Sequence, residues 1–128
     1  MNVLVLEDEP LVAQKLMGQI KKLRPGWTLH GPVLSTRETK EWLQINTQPD
    51  LIIADIQLSD GISIEVLAEL KQTSPVIFVT AFDQYAIRAF KINSIDYILK
   101  PVDVDDLEAA FEKFEHQKQF QNVNLHAL

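Results

Sequence analysis

The chain has 128 residues, of which 46% are hydrophobic and 23% charged, the size of one ordinary domain and a composition too apolar for a disordered chain. Eighteen acidic residues against twelve basic ones give a formal net charge of −6, which argues against this domain alone gripping a nucleic-acid backbone or an anionic lipid surface. There is no cysteine, so disulfides, zinc thiolates and a cysteine nucleophile are excluded.

No apolar run approaches the roughly 20 residues of a membrane span. The start of the chain shows no charged-then-apolar leader pattern. The lack of cysteine fits a reducing compartment, and the expected location is the cytoplasm. The first apolar run is Val3–Leu6, followed by Glu7-Asp8-Glu9. Pro10 suits a first helical position, and Val12, Leu16, Ile20 and Leu23 follow at helical spacing until Pro25-Gly26. Leu29–Ser35 is a weaker strand pattern. Ser35-Thr36-Arg37-Glu38 reads as a capping box opening a second helix through about Ile45. Leu51–Ala54 is a second pure apolar run. Gly61 and Ser63 open a third helix with Ile64, Leu67 and Leu70 on one face. Val76–Val79 is the next strand. Asp83 can cap a fourth helix carrying Ala86, Ala89, Phe90 and Asn93 on one side. Asp96–Leu99 reads as an edge strand. Asp103 caps a fifth helix with Leu107, Ala110, Phe111 and Phe114 facing inward. After about His116 the chain turns polar without clear periodicity, which predicts a tail over 118–128.

The pattern is βα repeated five times. Short runs of Val, Ile and Leu without polar alternation are strands buried on both faces, so the expectation is a parallel sheet between two helical layers. Ligands of such sheets sit beyond the carboxyl ends of the strands. Those ends carry Glu7-Asp8, Asp55, Thr80-Ala81 and Lys100-Pro101. Singly, each reads as a cap or a turn. If strands 1, 3, 4 and 5 are neighbours, three carboxylates, a hydroxyl and an ammonium share one mouth. Two like charges about 4 Å apart repel by roughly 4 kcal/mol at an effective dielectric near 20, so the cluster calls for cations. Lys100 is one. An all-oxygen donor set without His or Cys selects a hard divalent ion, Mg²⁺. Beside it, the Asp55 carboxylate has the chemistry to attack phosphorus while cations and hydroxyls hold the equatorial oxygens.

The segments Val3–Glu9, Asp50–Leu58, Asp60-Gly61, Val79-Thr80-Ala81 and Tyr97–Pro101 resemble the receiver domain of bacterial two-component response regulators. The resemblance covers about residues 1–117. Thr80–Ala86 and Ser94–Pro101 are similar in particular to receivers of the LytR/AlgR type, which usually precede a LytTR DNA-binding domain. The resemblance implies a flavodoxin-like (βα)5 three-layer sandwich with strand order 2-1-3-4-5. It implies Asp55 as phosphoacceptor, served by a sensor histidine kinase. It implies Mg²⁺ held by Glu7, Asp8, Asp55 and the backbone carbonyl of Gln57, where many family members have Asp at the Glu7 position. Thr80, Ala81 and Lys100 fall on the phosphoryl contacts and Tyr97 on a rotating switch aromatic. Gln57 and Phe82 fall on positions that tune hydrolysis of the acyl phosphate. The changed surface would be the fourth helix, fifth strand and fifth helix, where Arg88, Lys91, Asp96, Asp105, Asp106 and Glu112 are placed to pair across a homodimer. Such a domain is a signalling module, not an enzyme with turnover, and residues 118–128 would begin a linker to an output domain.

Two other readings fit some of these residues. An aspartate-nucleophile phosphohydrolase of the haloacid dehalogenase type also uses Asp, Thr, Lys and Mg²⁺, but it needs an acid two residues after the nucleophile, where this chain has Gln57. A receiver-like module that binds partners without phosphorylation would keep the fold and dispense with the acids.

Overall fold

The computed structural model describes residues 1–81 and 93–127, with side chains described as far as 119. The strands are β1 (Asn2–Leu6), β2 (Thr28–Val33), β3 (Leu51–Ala54), β4 (Gln57–Leu58), β5 (Gly61–Ile62), β6 (Val76–Thr80) and β7 (Ser94–Leu99). The described helices are α1 (Pro10–Leu23), α2 (Thr36–Ile45), α3 (Ser63–Glu69) and α4 (Val104–Ala127). Five strands form one parallel sheet in the order β2-β1-β3-β6-β7. With the two-residue strands β4 and β5 set aside as a separate antiparallel pair, this is the expected 2-1-3-4-5.

Alternation along the strands divides the core in two. Val3 and Val5 of β1, Leu51 and Ile53 of β3, and Ile77 and Val79 of β6 pack with Leu16 and Ile20 of α1 and Leu107, Phe111 and Phe114 of α4. Leu4, Leu6, Ile52, Ala54, Val76 and Phe78 point the other way, onto Ile64, Val66 and Leu67 of α3 and half-buried Trp42 of α2. Burying β1, β3 and β6 on both faces is why these runs lack polar alternation. The edge strand β2 admits Pro32 and a left-handed Gly31 (φ +114°), whose absent Cβ would lie 2.6 Å from the Val5 carbonyl oxygen.

Local signals are realised with some changes. The Ser35 hydroxyl accepts from the Glu38 amide at 3.0 Å, but the Glu38 carboxylate reaches the Leu34 amide at 2.9 Å instead of closing the box on Ser35. Asp60, from the β4–β5 turn, takes the Thr36 and Arg37 amides at 2.6 and 3.2 Å. The third helix starts at Ser63, because Gly61 is used by β5. Asp103 accepts from the Asp105 amide at 2.8 Å, capping α4 as expected. The polar stretch after His116 is helical through Ala127. It contains Gln, Lys and Asn but no Gly or Pro, so no residue in it breaks the helix. The fourth helix expected from Asp83, with Phe82, Arg88 and Lys91, lies outside the described residues.

Candidate functional site

The sheet ladder itself places the site. Glu7, Asp55 and Lys100 each stand one residue past a strand, and each is still held by a backbone rung. The Glu7 amide donates to Val33 (3.0 Å), the Asp55 amide to Leu6 (2.8 Å) and the Lys100 amide to Thr80 (2.8 Å). Residues 93 positions apart in the chain thereby meet at one edge. One carboxylate oxygen each from Glu7, Asp8 and Asp55 lie within 4.8 Å of one another. The Lys100 ammonium bridges two of them, at 2.6 Å from Glu7 Oε1 and 2.8 Å from Asp55 Oδ2.

Glu7 is 1% exposed and Asp55 7%, whereas Asp8 is half-buried. Burial pushes the Glu7 carboxyl up from its ordinary range, against the hydrogen bonds from Lys100 and the Glu9 amide, and the Asp55 charge adds to the rise. For Lys100, burial works downward, but the hydrogen bonds to Asp55 and Glu7 outweigh it and the ammonium is held above its ordinary value. The site thus keeps one firm positive charge among three acids. The oxygen atoms left over match a hard divalent ion such as Mg²⁺, and the donor set contains no nitrogen or sulfur.

The remaining expected residues surround this cluster. Thr80 is fully buried at the end of β6 and exposed Ala81 follows it. The Gln57 side chain is exposed, and the Gln57 backbone N–H donates to Asp55 Oδ1 at 3.4 Å. Tyr97 is half-buried on β7, its ring 6.3 Å from that of Phe78. Phe82 is among the residues not described. Two groups were not singled out by sequence. Buried Ser63, read only as a helix opener, donates its hydroxyl to the Asp55 backbone carbonyl at 2.7 Å. Arg24, at the end of α1, pairs with Glu108 at 2.9 Å and Glu115 at 2.8 Å. A basic residue at a helix C-terminus was the only signal for Arg24, and it points to the helix dipole rather than to partners on another helix.

A parallel five-stranded sheet with acids at its carboxyl edge and a lysine across them is an α/β arrangement whose ligand site lies beyond the strand ends. The family model of the response regulator receiver domain matches residues 3–112, and the chain belongs to that family, whose members are signalling domains. It is 33% identical to the sensory transduction protein LytT of Bacillus cereus and 35% identical to the transcriptional regulatory protein LytR of Staphylococcus aureus (strain N315), in each case over the whole of this chain and 52% of the relative. The chain therefore spans about half the length of these curated relatives. Among solved structures, the response regulatory domain of protein mrkE from Klebsiella pneumoniae superposes with a TM-score of 0.82 at 26% identity, covering 91% of this chain and 97% of that one. No described helix is long and apolar enough to cross a membrane.

Proposed function

We propose that this domain takes a phosphoryl group from a sensor histidine kinase onto Asp55 and uses it to switch an attached output. The observation that carries the reading is the bridged triad: Lys100 within 2.8 Å of Asp55 and 2.6 Å of Glu7, with Asp8 beside them. In the transfer, a lone pair of an Asp55 carboxylate oxygen forms the new bond to phosphorus. The bond from phosphorus to the donor imidazole nitrogen breaks, and the imidazole keeps that electron pair. Glu7, Asp8 and Asp55, with the backbone carbonyl of Gln57, would hold Mg²⁺. Bound there, the ion neutralises charge on the transferring group. Lys100 supplies a second positive charge to the phosphoryl oxygens, and Thr80 and the Ala81 amide donate to a third oxygen. An apolar cleft of about 390 Å³, lined by Val12, Leu16, Val79, Pro101 and Val102, opens beside Lys100 and suits a seat for the donor protein.

The signal follows from the added charge. Thr80 turns toward the phosphoryl group, and Tyr97 moves into the space released. The surface around β7 and α4 changes, and with it pairing of two copies. By their place in the family's sequence pattern, Gln57 and Phe82 tune hydrolysis of the acyl phosphate, and a bulky residue at position 82 is expected to lengthen its life. The likeness to LytR and LytT supports transcriptional control by a LytTR-type DNA-binding output, in the cytoplasm, with no nucleic-acid contact by the receiver itself. Incubation with acetyl phosphate and Mg²⁺ followed by intact mass tests the chemistry. One phosphoryl group is expected per chain, lost with EDTA and in Asp55→Ala. An unchanged mass, or an addition that survives Asp55→Ala, contradicts the reading.

A further inference from the structure

The phosphoacceptor is held by a residue eight positions further on. Asp55 follows the end of β3, and its amide makes a ladder bond to Leu6. The ladder ends there. The Ser63 hydroxyl donates to the Asp55 carbonyl at 2.7 Å, and the Ser63 amide donates to the Ile56 carbonyl at 2.8 Å. One residue therefore caps two successive carbonyls and closes the base of the excursion 56–62, which contains the β4–β5 pair and Gln57. Ser63 is 0% exposed, so no bulk water stands ready to replace a lost hydroxyl. A buried carbonyl left without a donor favours rearrangement of its backbone. Here that backbone carries the reacting carboxylate.

We propose that Ser63 is a positioning residue for phosphorylation: its hydroxyl fixes the Asp55 peptide so that the carboxylate stays aimed at the cluster of Glu7, Asp8 and Lys100. This rests on Asp55 being the acceptor. Small displacements of a reacting group are costly in rate, so the hydroxyl affects the saturated rate constant more than donor affinity.

The molecule contains its own control. Ser74, 2% exposed, donates its hydroxyl to the Pro49 carbonyl at 2.6 Å, away from the acid cluster on the connections before β3 and β6. Ser63→Ala and Ser74→Ala delete the same kind of buried bond. Rates of acetyl phosphate labelling at saturating Mg²⁺ are measured for both beside the unaltered chain, with melting temperatures. The expected result is comparable destabilisation of both variants, but about a tenfold fall in the saturated labelling rate for Ser63→Ala alone, with the half-saturating donor concentration little changed. Ser63→Thr, which keeps the hydroxyl, restores most of the rate. If Ser63→Ala does not fold, the comparison is Ser63→Gly with Ser63→Thr, and only the glycine variant is slow. Equal rates for Ser63→Ala and the unaltered chain, an equal loss in Ser74→Ala, or a hydroxyl-bearing threonine as slow as the variant lacking the hydroxyl overturns the proposal. Failure of the unaltered chain to label at all would instead strike at Asp55 as acceptor.

Discussion

Two clusters in this domain set one cation against several carboxylates, and they are built to opposite ends. At the sheet edge, Lys100 faces Glu7, Asp8 and Asp55. On the α1–α4 face, Arg24 faces Glu108 and Glu115. The guanidinium spends four donor contacts on the two glutamates, at 2.8–2.9 Å, and a fifth on the Leu23 carbonyl. It also lies 5.8 Å from the Trp27 ring centre and 5.6 Å from that of Phe111. A planar fork of this kind is saturated, and nothing further is invited. The ammonium of Lys100 is a point charge that meets two of three acids and leaves carboxylate oxygens over. One cluster locks a helix to the body, and the other waits for charge.

The largest expected contrast is kinetic. Lys100→Ala removes the fixed positive charge at the reacting oxygens, and labelling by acetyl phosphate should slow by at least about a hundredfold. Arg24→Ala should leave that rate within about twofold, since Arg24 has no contact with the acid cluster. Similar rate losses in both would erase the distinction. Asp8→Asn is the next test. It keeps the shape of the side chain and deletes one ligand charge, so the Mg²⁺ concentration giving half-maximal labelling should rise about tenfold. An unchanged Mg²⁺ dependence would remove Asp8 from the site.

The smallest effect concerns pH. Arg24 holds the Glu108 carboxyl below the usual carboxylate range through their hydrogen bond, partly opposed by desolvation. A folded value below the unfolded one contributes stability above the usual range, and that contribution is lost as pH falls through the lowered value. Arg24→Ala should destabilise the domain at neutral pH, through lost stacking on Trp27 and Phe111 and lost pairing with Glu108 and Glu115. The gap to the unaltered chain should narrow on acidification. Urea melts at pH 7 and pH 3 read this, and a gap that widens in acid would contradict it.

The sheet was legible because its central strands are buried on both faces, so Val3–Leu6, Leu51–Ala54 and Val76–Val79 stand out as unbroken apolar runs. The acid cluster was legible for a related reason. Charged residues directly after such runs must lie at one edge of the sheet, and they meet there because β1, β3, β6 and β7 are neighbours, an order that periodicity does not encode. Arg24 was opaque because its partners are 84 and 91 residues away on another helix, and local periodicity does not encode which helices touch. Ser63 was opaque because a hydroxyl at a helix start ordinarily caps its own helix, whereas this one turns back to the strand end. The β4–β5 pair consists of two-residue strands, too short for any alternation to register. The helical stretch beyond His116 has propensity without a clear apolar face, and periodicity alone reads that as tail.

The most direct test of the contrast is a Mg²⁺ titration followed by backbone amide resonances of the unaltered domain. Saturable shifts should centre on residues 7, 8 and 55–57, with Glu108 and Glu115 still, and the binding should weaken strongly in Asp55→Asn. Shifts concentrated on the α1–α4 face, or none at the sheet edge at millimolar Mg²⁺, would contradict the account.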